Sequence, residues 1–163
     1  MFNQLQIREA QSKDISQLKE IIDVSFPRFF RYFAIHSVSD LREPVLVTVI
    51  EGIIAGFAKL IEFQVGGVKY GCILWIAVHP SYRHREIAFN LTNTGVNYLV
   101  KQGVRAVFAS TQRRNKAALA TLSKSGFKRL KFVDIWRLFG WRMFNFFGDI
   151  WLAPGEVVLA RFS

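Results

Sequence analysis

Two hydrophobic periods share the chain. Leu5-Gln6-Ile7-Arg8-Glu9 alternates with period two and predicts a short strand. Over 13–24 the period lengthens, placing Ile15, Leu18, Ile21 and Ile22 on one helical face with Ser12 as N-cap. Pro27 ends that helix, and the aromatic stretch 29–33 begins a second short one. Pro44 opens a strand at 45–51, Gly52 turns it into 54–63, and Gly66-Gly67 turns again into 68–78, an antiparallel meander. After Pro80, Ile87, Leu91, Val96, Leu99 and Val100 form a helical stripe that stops at Gly103. A buried strand follows at 104–110, then a helix at 115–124 stopped by Gly126, a strand at 127–133, an aromatic and basic helix at 135–147 and a last strand at 156–162.

The predicted order is therefore β-α-α-β-β-β-α-β-α-β-α-β. A meander followed by a βαβ unit excludes a simple doubly wound sheet and implies an α/β (α+β) fold with a mixed central sheet flanked by helices. No repeat or Pro/Gly-rich linker interrupts the 163 residues, which predicts a single domain over 1–163 with the aromatic, basic helix and last strand at about 135–163.

Composition adds aromatic surplus and charge. Sixteen Phe exceed what a small core needs, so some aromatics either enlarge the core or line a groove, a homodimer contact or a membrane-facing surface. Cys72 is the single cysteine, which excludes an intrachain disulfide and favours a reducing, cytoplasmic setting. The opening Met1-Phe2-Asn3-Gln4-Leu5-Gln6 reads as carrying no secretory signal, and 135–153 is broken by Arg137, Arg142 and Asp149, too polar for a membrane span. The formal net charge is +10, and its placement matters more than its size. Basic and acidic residues balance over the first 82 positions, whereas 83–142 carries thirteen Lys or Arg against Glu86 and Asp134. Such a block predicts an anionic partner: a phosphorylated cofactor, nucleic acid or an acidic membrane.

The block opens on Ile76-Ala77-Val78-His79-Pro80-Ser81-Tyr82-Arg83-His84-Arg85-Glu86-Ile87-Ala88, a strand joined to a helix by a short basic turn. Exposed backbone N–H groups at a helix start, with positive charge nearby, suit a pyrophosphate. The run resembles the cofactor motif of the GNAT (acetyl-CoA-dependent N-acetyltransferase) family, in which Val-x-Pro precedes Arg/Gln-x-x-Gly-x-Gly/Ala. Val78, Pro80, Arg83 and Ala88 match. The family often has glycine where His84 stands and nearly always where Glu86 stands, and a carboxylate at 86 would repel a pyrophosphate unless it turns away or pairs with a base.

A second stretch, Asn115-Lys116-Ala117-Ala118-Leu119-Ala120-Thr121-Leu122-Ser123-Lys124-Ser125-Gly126-Phe127, resembles the other signature of that family, Asn-x-x-Ala-x-x-x-Tyr/Phe-x-x-x-Gly-Phe, through Asn115, Ala118, Gly126 and Phe127. The resemblance implies acetyl-CoA (CoA) as co-substrate, held by Ile76, Ala77, Val78, Arg83, His84, Arg85, Glu86, Ile87 and Ala88 together with Asn115 and Ala118. It also implies that the strands near Ile76 and Val107 splay around the pantetheine, with a backbone N–H from 76–78 facing the oxyanion.

Direct attack by an amine needs a base, or a water chain, and an acid for the leaving thiolate. The position where the family carries the acidic tyrosine is Leu122, which donates no proton. Ser123 neighbours it but projects elsewhere on the helix; Tyr82, His84 and solvent are the other routes. Glu62 and Cys72 are the candidates for the base, each with a plainer reading, a solvated strand residue and a small buried one. No catalytic residue is fixed. His36 and His79 read as structural or surface groups, and no pair has metal-ligand spacing, so no metal is expected.

The leading expectation is N-acetyl transfer from acetyl-CoA to an amine on a small molecule or peptide. By resemblance the first two helices cover the acceptor, so Phe26, Phe29, Phe30 and Tyr32 either wall that side or pack on the sheet. The alternatives are a non-catalytic CoA-binding module of the same fold, which Glu86 and Leu122 favour, and a protein that binds nucleic acid or an anionic membrane. Trp136, Arg137, Trp141, Arg142, Phe146 and Phe147 suit such a surface and equally suit a dimer contact, and make no strong case for nucleic acid or membrane.

Overall fold

The computed structural model describes residues 5–163. Met1 to Gln4, part of the segment read above for a targeting signal, lie outside the described residues. A seven-stranded mixed sheet carries the chain in the order β1-β2-β3-β4-β5-β7-β6. Its strands are β1 (Gln6–Glu9), β2 (Val45–Ile50), β3 (Ile53–Val65), β4 (Val68–Val78), β5 (Ala106–Gln112), β6 (Lys128–Arg129) and β7 (Glu156–Phe162). The helices are α1 (Ile15–Ser25), α2 (Arg28–Ser39), α3 (Ile87–Lys101), α4 (Lys116–Lys124), α5 (Phe132–Phe139) and α6 (Met143–Asp149). The predicted order of elements holds, with the last helix divided in two. Packing groups the chain into two compact units, one reaching to Leu60 and resuming over Trp75–Gly95, the other formed by Ile61–Leu74 and Val96–Ser163.

In the first unit β1 and β2 pair antiparallel from Gln6↔Val49 to Glu9↔Leu46, and β2 pairs antiparallel with β3. Glu51 and Gly52, both at positive φ, make the two-residue turn that matches strand twist. Leu18, Ile21 and Ile22 of α1 and Ala34 and Val38 of α2 bury their apolar stripes against Val45, Val47 and Phe57. Ser12 is not the cap of α1. It starts a 3-10 turn, Ser12–Asp14, in which the Gln11 N–H donates to the Asp14 carboxylate at 2.7 Å. The Asp14 carboxylate is in turn held by Arg8 in a two-bond fork of 2.7 and 3.1 Å. Gly56 of β3 is required by close approach: a Cβ there would stand 2.9 Å from the Ala77 carbonyl oxygen and 3.2 Å from an Ile87 methyl. The missing side chain lets the first turn of α3 settle onto β3 and β4.

In the second unit β5 pairs antiparallel with β7 along its full length, from Ala106↔Phe162 to Gln112↔Glu156. The parallel ladder of β4 with β5 is much shorter, covering Gly71↔Val107, Cys72↔Phe108 and Ile73↔Ala109. Gly71 gives way to Leu99, whose methyl would lie 2.9 Å from a Cβ. The core is aromatic: Phe108 meets Phe146 at 4.7 Å, Phe139 stacks on Phe146 at 4.5 Å, and Tyr70 stands edge-on to Phe139. Each such pair adds about 0.5–1.5 kcal/mol beyond its buried area.

Three expectations fail here. The strand at 127–133 shrinks to two residues paired with Ala160 and Leu159, because Asp134 accepts the Lys131 N–H at 2.8 Å and starts a helix at Phe132. The single helix at 135–147 breaks at Gly140, whose φ of +55° ends α5 before a 3-10 turn, Gly140–Arg142, leads into α6. Val100 is exposed, so the α3 stripe lacks it. Among the described residues no helix is long and apolar enough to cross a membrane.

Candidate cofactor site

β4 ends at Val78, and the chain turns through a 3-10 helix, Pro80–Tyr82, before α3 begins. Sequence reasoning left His79 as a structural or surface histidine, and the structure gives it a specific task. Its N–H donates to the Ala55 carbonyl at 2.8 Å, tying the turn to β3, while its Nδ1 accepts the Ser81 N–H at 3.1 Å. The signal available was the His-Pro pair, with proline at the first position of a helical turn. Tyr82 returns an N–H to the His79 carbonyl at 2.9 Å, and the Arg85 guanidinium lies 5.5 Å from the centre of the Tyr82 ring.

His84 and Glu86, at the two positions where the motif resemblance expects glycine, hold left-handed φ values of +66° and +57°. Each such residue is strained by about 1–2 kcal/mol relative to right-handed backbone. Left-handed residues alternating with ordinary ones turn successive N–H groups into a concave run of donors, a shape suited to phosphate oxygens. The Glu86 carbonyl accepts the Asn90 N–H at 2.9 Å, the first rung of α3, so the Ile87 and Ala88 amides precede the helical ladder. Arg83, His84, Arg85 and Glu86 are exposed, Ile76, Val78 and Ala88 are half-buried, and Ala77 and Ile87 are buried. Nine of the eleven cofactor candidates therefore lie on one continuous strand-turn-helix segment of the first unit.

The other two lie in the second unit. Asn115 caps α4, its Oδ1 accepting the Ala118 N–H at 3.1 Å, and the half-buried Ala118 sits in the first turn. At the far end the Phe127 N–H returns to the Leu122 carbonyl at 3.0 Å across Gly126, whose φ is +86°. Leu122 is buried on this helix and the neighbouring Ser123 is exposed.

Of the base candidates, Glu62 is half-exposed and ion-paired with Lys69 at 3.3 Å. Cys72 is buried in the aromatic core of the second unit, where desolvation pushes its thiol far above the usual range and keeps it neutral. In the first unit Phe26 and Phe30 pack against Trp75 of β4 at 5.5 and 6.2 Å, while Phe29 and Tyr32 stay exposed, so the aromatic group is half core and half surface.

This mixed seven-stranded sheet flanked by helices is an α/β fold shared with solved acetyltransferases. The acetyltransferase (GNAT) family model matches residues 7–127, and the chain belongs to this family. Comparison with curated proteins by sequence gave no match. Among solved structures, the ribosomal-protein alanine N-acetyltransferase of Escherichia coli is 19% identical with a TM-score of 0.67, covering 96% of this chain and 92% of that one. The PaiA N-acetyltransferase of Thermoplasma acidophilum, in complex with coenzyme A, is 14% identical with a TM-score of 0.69, covering 98% and 99%. An aminoglycoside N-acetyltransferase in complex with CoA is 17% identical with a TM-score of 0.65, covering 78% and 90%.

Proposed function

We propose that this GNAT-family acetyltransferase moves the acetyl group of acetyl-CoA onto an amine by direct attack. The observation that supports the reading is the positive φ at His84 and Glu86, in the turn that leads into α3 beside Arg83 and Arg85. The pyrophosphate is assigned to the amides of 84–88, and Asn115 and Ala118 to the pantetheine arm. The chemistry then needs three things of the chain. A β4 amide within 76–78 donates to the carbonyl oxygen as it gains charge. The amine loses a proton to a base or to water, and the CoA thiolate gains one. With Cys72 buried and neutral, Glu62 held by Lys69 and Leu122 aliphatic, water is the carrier best supported for both proton transfers. Phe29 and Tyr32, exposed beside the Phe26–Trp75 pair, favour an acceptor with an apolar part, on a small molecule or peptide.

The relatives supply the acceptor class by analogy, since those named act on a protein alanine and on aminoglycosides. Leu122 supports a second reading, a CoA-binding module without turnover. Titration calorimetry with acetyl-CoA at low salt, followed by an amine screen that reports free CoA thiol, separates the two. Binding should weaken with added salt and with Arg83→Ala or Asn115→Ala. No binding at low salt would end both readings, and binding with no thiol release for any amine would leave the second.

A further inference from the structure

The segment from α5 to α6 buries one side in the core of its unit and leaves the other unusually aromatic. Trp141 is 77% exposed and Phe144 59%, and Phe132, Val133 and Trp136 are exposed as well. The rings run together: Trp136 meets Trp141 at 5.0 Å, and Trp141 stacks on Phe144 at 6.4 Å. Phe132 and Val133 lie one helical turn before Trp136 on the same face. Exposed rings clustered in contact with one another, rather than scattered singly, point to an interaction surface.

Cations are interleaved with it. Arg137 follows Trp136, and Arg142 follows Trp141. Both arginines, with Arg105 and Tyr70, line a concave site of about 300 Å³ beside the Gly66-Gly67 turn. Gly66 holds a φ of +59°, which favours glycine in the turn that borders the site. Among the described residues no carboxylate lies within ion-pair distance of Arg105, Arg137 or Arg142. Three guanidinium groups thus share one hollow with no internal counter-charge.

We infer that this face docks the protein on an anionic phospholipid surface, the rings entering the headgroup layer and the three arginines taking lipid phosphates. Tryptophan and phenylalanine gain at that boundary, where apolar and wet environments meet, and arginine gains from the negative surface potential. The helices lie on the bilayer and do not span it, in keeping with the polar breaks at Arg137, Arg142 and Asp149. A second copy of the chain fits less well, since a two-fold contact would bring Arg137 and Arg142 toward their own counterparts. A single-stranded nucleic acid needs open ring faces for stacking, and Trp136 and Trp141 meet edge to face at 82°. The proposed acetyl transfer uses none of these residues.

The test is co-sedimentation of the full chain with vesicles of phosphatidylcholine alone and of phosphatidylcholine mixed with phosphatidylglycerol, with tryptophan emission read in parallel. Binding is expected only to the mixed vesicles, with a blue shift and with loss at high salt. Trp141→Ser should remove most of the shift, and Arg137→Gln and Arg142→Gln should each weaken binding about fivefold, the factor for roughly 1 kcal/mol per basic residue at an anionic surface. Melting temperature, and its rise with acetyl-CoA, should be unchanged in all three variants. A missing acetyl-CoA response in every protein would count against the proposed function and leave the docking result standing. Docking is overturned by no binding to mixed vesicles at low salt, or by binding that ignores all three substitutions. It is equally overturned by a wild-type dimer that Trp141→Ser dissolves, or by RNA retention stronger than vesicle binding.

Discussion

His84 and Glu86 hold left-handed backbone on either side of Arg85, at φ +66° and +57°. Neither residue is a glycine, yet both hold the sign of φ that favours glycine. The turn keeps the path that glycine would follow most easily, and the strain of two L residues is borne by the packing around it, chiefly His79 tied to Ala55 and α3 seated against Gly56.

Glu86→Gly should therefore tighten CoA binding. It removes a carboxylate from the turn proposed to face the pyrophosphate and about 1–2 kcal/mol of left-handed strain, while glycine returns about 1 kcal/mol of unfolded-chain entropy. The melting temperature should hardly move, and the dissociation constant for CoA measured by calorimetry should fall. An unchanged or weaker affinity would mean that the Glu86 side chain does not face the phosphates.

Lys59 offers a prediction on pH. It is almost fully buried in the first unit, with its amine donating to the carbonyls of Asp40 at 2.6 Å and Glu43 at 2.9 Å, which close the end of α2. Desolvation holds its pKa below the ordinary 10.5 despite the neighbouring carboxylates. Between the folded pKa and 10.5 the unfolded chain binds more protons than the folded one, so this residue makes stability rise with pH through that window. Lys59→Met should lose about 2 kcal/mol by leaving the Asp40 and Glu43 carbonyls without their shared donor. The difference between wild type and variant in denaturant titrations should widen as pH approaches 10.5 from below; a constant difference would mean that Lys59 is not desolvated.

Cys72 should be chemically silent. Burial keeps its thiol neutral, so an aromatic disulfide reagent should modify it only after unfolding. Cys72→Ala should leave the rate of acetyl transfer unchanged while destabilising by about 1 kcal/mol through a small cavity. Rapid labelling of the native protein would restore it as a candidate base.

The fold was legible because its signals are local. The Gly52 and Gly66-Gly67 turns, the stripe of Ile87, Leu91, Val96 and Leu99, and the Gly126 stop each act within a few residues. The misreadings came from competition that only the folded chain resolves. Ser12 lost the cap position to Asp14, whose carboxylate Arg8 holds from β1. The stretch after Phe127 has strand-like residues, yet Asp134 bonds the Lys131 amide and the chain goes helical. At the candidate site, Arg83 and Ala88 could be read from the motif, whereas the left-handed backbone at His84 and Glu86 could not, since positive φ is uncommon for any residue other than glycine. Gly56 looked like any strand glycine until the Ala77 carbonyl and Ile87 appeared opposite it.

Leu122→Tyr addresses whether a missing acid limits turnover. Leu122 is buried near the end of α4, and the helix beyond it is fixed by the Phe127 bond across Gly126, so a tyrosine there enters from a defined backbone position. The larger ring overpacks the site, and the melting temperature should fall by an amount corresponding to about 1–3 kcal/mol. If protonation of the CoA thiolate is slow, the phenol should raise acetyl transfer by about 100-fold, the low end for general acid catalysis. CoA affinity should change little, because the cofactor contacts proposed for the turn at 84–88 and for Asn115 are untouched. Rates across pH on an amine found by screening, followed by thiol release, give the comparison, and the variant should lose its advantage as pH rises toward the phenol's pKa near 10. A wild-type enzyme already fast and indifferent to the change would show that solvent protonates the thiolate without delay. A protein that binds CoA yet stays inert with every amine, before and after the substitution, would favour the binding module over the enzyme.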